Sequence, residues 1–387
     1  MSRKKILWLC SWYPGKTEPF NGDFVQRHAR AAALNNDIYV IHVAGDVSGK
    51  ITATEKEINR QPGLTEHIVY YKKAPSFFGK IISHYRGQAL FRQAIRRYII
   101  ENGKPDLVHV QVPVKAGLLA IWMRSRYKIP YAVTEHWGIY NDVVTDKYEN
   151  KSGSFKRYTK KIFDRAAKFI SVSKYLAEGV NKLVIEKEYE VIPNAVDTDL
   201  FYNKEKQDSV FRFIHVSNMV PLKNAEGILR AFQLFNKNKQ GLELIMTGDT
   251  DPAIRNYAAG LNIAGNTVFF RGEVSYSQIS KEMQNADCLI LFSNIENSPC
   301  VIGEALCCGL PVIATRVGGI PELVNDSNSI LVEPNNEEQL INAMQQVMDH
   351  YPAYHKNTIA EDARSKFSYA VVGKKLDDLY GTLIADR

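Results

Sequence analysis

The sequence predicts an α/β protein of two doubly wound, Rossmann-like domains, and three observations carry that expectation. Short apolar runs alternate with amphipathic helical stretches from end to end, the pattern of strand–helix–strand units in parallel sheets. The pattern runs once to about residue 195 and then starts afresh. The length, 387 residues, suits two domains at roughly 100 to 200 residues each.

In the first half, the strand candidates are KKILWLC (4–10), DIYVIHVAG (37–45), HIVYYK (67–72), DLVHVQ (106–111), YAVTEH (131–136), KFISVS (168–173) and YEVIP (189–193). Helices are expected near 22–35, 80–101, 115–126, 154–166 and 174–186. The second half offers FRFIHVS (211–217), LELIMTG (242–248), NTVFFRG (266–272), ADCLILFS (286–293), LPVIATR (310–316) and SILVEP (329–334), each beside a helix. Between the halves, PNAVDTDLFYNKEKQDS is polar and turn-rich, which puts a hinge near 193–210. The expected domains are therefore 1–195 and 196–367. The tail from about 368 to 387 reads as a closing amphipathic helix. Two such sheets facing each other would bring the C-terminal ends of their strands to one cleft, the place where open α/β folds bind ligands.

With 45% hydrophobic and 24% charged residues, the composition is that of a globular chain. No apolar run reaches the length of a membrane-spanning helix, and MSRKKILWLC lacks the apolar core of a signal peptide, so the cytoplasm is the expected address. Cysteines 10, 288, 300, 307 and 308 form no C-x-x-C pair and no zinc spacing; they read as reduced, mostly buried thiols. Charge divides unevenly. Residues 1–195 hold 32 Lys+Arg against 18 Asp+Glu, a net of +14; the remaining 49 − 32 = 17 against 42 − 18 = 24 give −7. The first half thus expects something anionic.

The stretch ENSPCVIGEALCCGLPVIATRVGGIPE (296–322) carries the chemistry. Ser298 can cap a helix with Pro299 at its first position, where a missing N–H costs nothing, and the helix would run to about Cys308 with Gly309 ending it. Its N-terminus would offer N–H groups and partial positive charge to an anion. Glu296 and Glu304 flank that terminus, and carboxylates accept hydrogen bonds from hydroxyls, in which sugars are rich. The arrangement reads as a phosphate held between two hydroxylated rings.

The E-x7-E spacing followed by EALCCGLPVIATRVGGIPELV resembles the donor-site signature of retaining glycosyltransferase family 4, nucleotide-sugar enzymes with the GT-B fold. The likeness extends to VIPNAVDTDLF, VSNMVPLKNAEGILRAF, LIMTGDT, VFFRGEVS and KFSYAVVGKKLDDLY, and more loosely to SWYPGKTEPFNGDFVQRHARA, PDLVHVQ and YAVTEHWG. It implies a GT-B arrangement, two Rossmann-like domains across a cleft with the C-terminal helix packing back on the first.

What the resemblance implies for the site can be stated residue by residue. Glu304 would bind the ribose of a nucleoside-diphosphate sugar and Glu296 the donor sugar, with the backbone of Asn297, Ser298, Cys300 and Val301 cradling sugar and phosphate. Lys223 would neutralise the diphosphate as its charge develops. Gly22 would let the backbone approach diphosphate and acceptor, and His136 would touch the transferred sugar. Gly248 and the segment Arg271, Gly272 and Glu273 belong to the same donor side, the latter near the base. The family's arginine five or six positions before the lysine is absent, its place taken by Ser217 or Asn218, and Pro299 stands where many relatives have glycine. Transfer with retention follows from the family, with no cofactor and no metal.

Alternatives stay open. Two D-x-D triplets, Asp197 to Asp199 and Asp249 to Asp251, fall in the hinge and at a helix start, where Asp caps are ordinary. GDVSGK (45–50) is too short for a P-loop. His109, inside a strand, reads as core. A nucleotide-sugar epimerase or phosphorylase of the same fold, or a silent sugar-nucleotide-binding subunit, would share the donor residues. No motif supports nucleic-acid binding. The acceptor would be a glycan, a lipid-linked sugar or a small molecule. The helix 76–104 mixes Phe77, Phe78, Ile81, Ile82 and Leu90 with Lys80, Arg86, Arg92, Arg96 and Arg97, and KRYTKKIFDR (156–165) adds further basic residues. Together they suggest peripheral contact with an anionic membrane.

Overall fold

The computed structural model describes residues 3–385 except 75, 142, 250, 264 and 266, and of residue 77 the backbone alone. It comprises two compact units, one formed by residues up to Ala195 together with those from Tyr369, the other by Val196–Ser368.

The first unit is built on an eight-stranded sheet: β1 (Lys5–Cys10), β2 (Asp37–Asp46), β3 (Glu55–Gln61), β4 (Leu64–Lys72), β5 (Leu107–Gln111), β6 (Tyr131–Glu135), β7 (Lys168–Ser171) and β8 (Tyr189–Val191). The strand order is β3-β4-β2-β1-β5-β6-β7-β8. Every pairing is parallel except β3 with β4, an antiparallel hairpin running from Glu55 opposite Tyr70 to Gln61 opposite Leu64. This edge strand is absent from the sequence-based expectation. Its residues, EKEINRQ, are polar and mostly exposed, so no apolar alternation marks them.

Helices α1 (Asp23–Ala32), α2 (Phe77–Asn102), α3 (Pro113–Tyr127), α4 (Gly153–Arg165), α5 (Lys174–Leu183) and, from the chain's end, α12 (Tyr369–Ala385) cover the sheet. Alternate residues of β1 enter different cores: Leu7 and Leu9 join Phe91, Ile95, Val108 and Val110, while Ile6 and Trp8 join Val40, Leu107, Leu376 and Tyr380. Burial on both faces explains why the central strands read as unbroken apolar runs. α12 packs on α1 at van der Waals limit, because a Cβ on Gly373 would stand 2.1 Å from the carbonyl oxygen of Ala31.

The second unit holds β9 (Phe211–Val216), β10 (Leu242–Thr247), β11 (Val268–Gly272), β12 (Cys288–Leu291), β13 (Val312–Thr315) and β14 (Ser329–Val332), all parallel, in the order β11-β10-β9-β12-β13-β14. Its helices are α6 (Ala225–Phe235), α7 (Pro252–Gly260), α8 (Tyr276–Gln284), α9 (Cys300–Cys307), α10 (Glu337–Asp349) and α11 (Lys356–Phe367). The order reverses between β9 and β12, and between β1 and β5 in the first unit. At such switch points the loops leaving adjacent strands part in opposite directions and open a crevice.

One local expectation is corrected. α9 starts at Cys300 with Pro299, not Ser298, as its N-cap, and no side chain caps it. Pro299 has φ −68° and ψ 120°, an extended conformation that lets it end the loop rather than open the helix. Gly309 follows the helix at φ +76°, where a Cβ would meet the Lys356 carbonyl oxygen at 2.7 Å.

Candidate functional site

The loops leaving β9 and β12 converge on Glu296. Lys223, at the end of the 3-10 turn Pro221–Lys223 that follows β9, donates from Nζ to Glu296 Oε1 at 2.6 Å. Ser293, two residues past β12, donates from Oγ to the same oxygen at 2.7 Å. The two loops are tied by Asn294 N–H to the Leu222 carbonyl at 2.8 Å, and Thr315 at the end of β13 bonds the Ser293 carbonyl at 2.6 Å. The Glu296 side chain keeps 9% of its surface accessible and that of Lys223 25%, so the pair is partly desolvated and still reachable.

The glycines of RVGG complete the support. Gly319 N–H bonds the Glu296 carbonyl at 3.0 Å, and Gly318, at φ +53°, would place a Cβ 1.8 Å from that oxygen. No side chain fits there. In the sequence these glycines show only as part of a motif, because the carbonyl they support lies twenty-two or more residues away.

Glu304, in the second turn of α9, is 1% exposed and its Oε1 accepts the Tyr276 hydroxyl at 3.0 Å from the start of α8. Asn297 is half-buried and Ser298 buried; Cys300 and Val301, both half-buried, open α9, whose positive end therefore lies between the two glutamates in sequence.

The remaining donor-side residues serve the ends of β10 and β11. Gly248, at φ +102°, passes so close to the β9 exit that a Cβ would lie 2.2 Å from the Ser217 carbonyl oxygen. Its N–H bonds the Gly272 carbonyl at 2.8 Å, and Gly272, at φ +70°, donates its N–H to Asp249 Oδ1 at 2.8 Å. Asp249 also pairs with Arg255 at 2.5 Å, while Asp251 caps α7 through Ala253 N–H. Arg271 is 40% exposed and pairs loosely with Glu282 at 3.3 Å; Glu273 is exposed. Asn218 is exposed and lines a cavity of about 310 Å³ with Pro221, Asn224, Glu226, Asp249 and Asp251, a lining that includes none of Lys223, Glu296 or Glu304. The structure therefore gathers Lys223, Ser293 and Glu296 tightly, and leaves Asn218 on a separate wall.

In the first unit, Gly22 sits at φ +78° as N-cap of α1, and a Cβ would meet the Trp12 carbonyl carbon at 2.7 Å and the Tyr13 nitrogen at 2.8 Å. His136 follows β6, 8% exposed, with Nε2 2.9 Å from Gln111 Oε1 and its ring 4.8 Å from that of Phe24. Because an amide oxygen only accepts, the imidazole donates from Nε2. Burial, with the neighbouring His28 and His109, pushes its pKa well below the ordinary value, so it is neutral. His109 is a core histidine, bonded to Tyr380 and Thr134 at 2.7 Å each.

Glu135, missed by the sequence reading, lies beneath this turn. It is fully buried and accepts the N–H groups of His136 and Trp137 at 2.9 Å each and the Tyr140 hydroxyl at 2.8 Å. Burial raises its pKa to about 7, against the lowering effect of those three hydrogen bonds. A glutamate in the run YAVTEH carries no signal of its own, since its partners are set by the turn that follows. Cysteines 10, 288, 307 and 308 are buried free thiols and Cys300 is half-buried.

The family model "Glycosyl transferases group 1" matches residues 197–366, and "Glycosyltransferase Family 4" matches residues 28–200. The chain is a GT-B, glycosyltransferase family 4-like protein. It is similar to the glycosyltransferase TuaC of Bacillus subtilis strain 168, assigned to teichuronic acid biosynthesis, at 26% identity over 88% of this chain and 88% of that protein. Among solved structures, the sucrose-phosphate synthase of Thermosynechococcus elongatus superposes with TM-score 0.79 at 18% identity, over 99% of this chain and all of the other. Anabaena Alr3699/HepE, solved in complex with UDP and glucose, superposes with TM-score 0.71 at 19% identity over 98% and 100% of the two chains. Among the described residues, no helix is long and apolar enough to cross a membrane.

Proposed function

We propose that the protein transfers a sugar, with retention at the anomeric carbon and without a metal, from a nucleoside-diphosphate hexose or related donor to a glycan, lipid-linked or small-molecule acceptor, in the synthesis of cell-surface polysaccharide or glycolipid. The observation that carries this reading is the Lys223–Glu296 pair joined by Ser293 on one side of the α9 N-terminus, with buried Glu304 on the other.

In this reading Glu304 accepts the ribose hydroxyls and Glu296 the hydroxyls of the donor sugar, while the backbone of Asn297, Ser298, Cys300 and Val301 and the positive end of α9 hold the phosphates. Lys223 compensates the charge that grows on the leaving diphosphate. Glu296 holds that ammonium at 2.6 Å, which fixes where the cation stands. Gly22 admits the diphosphate to the backbone, and neutral His136 offers a hydrogen-bonding edge to the transferred sugar without adding charge. Gly248, Arg271, Gly272, Glu273 and Asn218 complete the donor side.

The bond from the anomeric carbon to the phosphate oxygen breaks as the bond to the acceptor oxygen forms on the same face. The acceptor's proton passes to the departing phosphate oxygen, so these residues position and stabilise charge and none need carry the proton. The test is a thermal-shift panel of nucleoside diphosphates and their sugars, uridine nucleotides first because HepE was solved with UDP. Stabilisation of about 2.7 kcal/mol is expected at a hundredfold excess over Kd. Conversion of the stabilising donor without an acceptor would favour the epimerase or phosphorylase instead, and binding with no conversion at all the silent subunit.

A further inference from the structure

We propose that the outward face of α2 is a docking surface for an anionic lipid bilayer. The helix buries one side in the first unit through Ser83, Phe91, Ala94, Ile95 and Tyr98. Its opposite side carries Phe78, Ile81, Ile82 and Tyr85, which are 75%, 46%, 67% and 70% exposed, and Ile100, 84% exposed. Five of the thirteen large hydrophobic side chains exposed among the described residues therefore lie on this helix, and four of them fall at positions i, i+3, i+4 and i+7. That spacing makes one stripe over two turns. Scattered exposed hydrophobics need no explanation, whereas a contiguous stripe does.

The same face continues through Ala89 to Arg92 and Arg96, whose guanidinium groups lie 5.8 and 6.0 Å from the ring of Trp122, and ends at Ile100. From Phe78 to Ile100 the stripe spans about 33 Å at the helical rise. Residues 77–102 contain Lys80, Arg86, Arg92, Arg96 and Arg97 against Glu101 alone, and Glu101 pairs with Arg97 at 2.7 Å. Arg86 bonds Thr54 at 2.8 Å at the border of the stripe.

Apolar side chains that can enter the acyl boundary, with cations along the same face to meet lipid phosphates, fit an anionic interface. A second copy of the chain would bring a face of the same positive sign against this one, and an apolar groove in a partner protein would offer Arg92 and Arg96 no anion. The inference does not rest on the transferase reading.

The experiment is co-sedimentation of the full chain with phosphatidylcholine vesicles, with and without phosphatidylglycerol, at low and high salt. Binding is expected only with phosphatidylglycerol, weakened by salt. The double variant F78S/I82S should reduce partition about tenfold or more by removing the inserted surface. R92Q/R96Q should reduce it several-fold and flatten the salt dependence. Both variants should keep the wild-type melting temperature, so loss of binding cannot be assigned to misfolding. Equal partition on neutral and anionic vesicles, or wild-type binding by both variants, would overturn the proposal. So would a concentration-dependent dimer, seen by light scattering, that F78S/I82S dissolves in a protein that ignores vesicles.

Discussion

At the C-terminal ends of their strands, the two units solve opposite electrostatic problems. The second unit sets charged groups in contact: Lys223 with Glu296, and Arg255 with Asp249. The first unit sets neutral imidazoles on β5 and after β6, bonding His109 to Thr134 and Tyr380, and His136 to Gln111, and it buries Glu135 so deeply that desolvation raises its pKa to about 7 against the three hydrogen bonds it accepts. A site of paired charges is suited to receive a diphosphate; a site of buried neutral groups is suited to shape and hydrogen bonding. The difference teaches that the net charge of each half, +14 and −7, does not describe its site, because the basic half gathers neutral imidazoles around β5 and β6.

The largest expected effect tests the neutrality of the first unit. Burial lowers the pKa of His28, His42 and His67 to about 4 and of His109 to about 3, and that of His136 well below 6.5. The second unit has one such residue, His215, at about 4. In the folded state these rings stay neutral between about pH 4 and 6.5 while the unfolded chain takes up protons, so stability falls as pH drops through that window. Each fully buried ring costs on the order of 3 kcal/mol by pH 4, and Glu135 opposes them only once. Hydrogen exchange at about pH 5 should therefore find the first unit opening before the second. The reverse order would break the contrast.

Next comes the charged pair. Lys223→Ala and Glu296→Ala should each lower turnover roughly 10²- to 10³-fold, the scale of losing one preorganised charge-stabilising group. A double-mutant cycle should return a coupling well short of additivity, since each residue is the other's partner at 2.6 Å. Independent, additive losses would mean that the pair has no functional meaning in the free enzyme. Gly318→Ala should act beneath it. A Cβ 1.8 Å from the Glu296 carbonyl at φ +53° forces the loop aside, so turnover should fall with Glu296 itself intact, and the melting temperature should drop by several degrees.

Around this pair the sequence was readable in part. The central strands, buried on both faces, appear as apolar runs in the one-dimensional pattern, and so does Glu296 with its spacing to Glu304. What escaped was set by tertiary contact. Ser293 and Gly318 reach Glu296 from three residues before and twenty-two after it, and Tyr276 reaches Glu304 from twenty-eight residues away. Residue type gives no hint of such a partner. The hairpin strand β3 escaped because an exposed edge has no apolar side to betray it, and the start of α9 shifted because a proline can end a loop as well as open a helix.

The smallest effect separates the two glutamates of the second unit. Glu304→Ala should weaken nucleotide binding about tenfold or more while leaving turnover at saturating donor within a few-fold, because ribose contacts act alike in ground and transition states. Tyr276→Phe is the finer probe. It removes one hydrogen bond to Glu304 Oε1 and keeps the ring that packs edge-on to Phe201, with centroids 5.8 Å apart. The cost should be about 0.5 to 1.5 kcal/mol, a few-fold in Kd for the nucleotide, read by titration calorimetry. The sign is the informative part. In the free protein the hydroxyl occupies the oxygen that the ribose would use, so if donor binding must displace it, Tyr276→Phe tightens the nucleotide instead of loosening it. A looser complex makes Tyr276 the residue that aims the carboxylate, and a tighter one makes it a competitor; unchanged affinity would detach Glu304 from the nucleotide, whereas the Lys223–Glu296 pair would be untouched by any of the three.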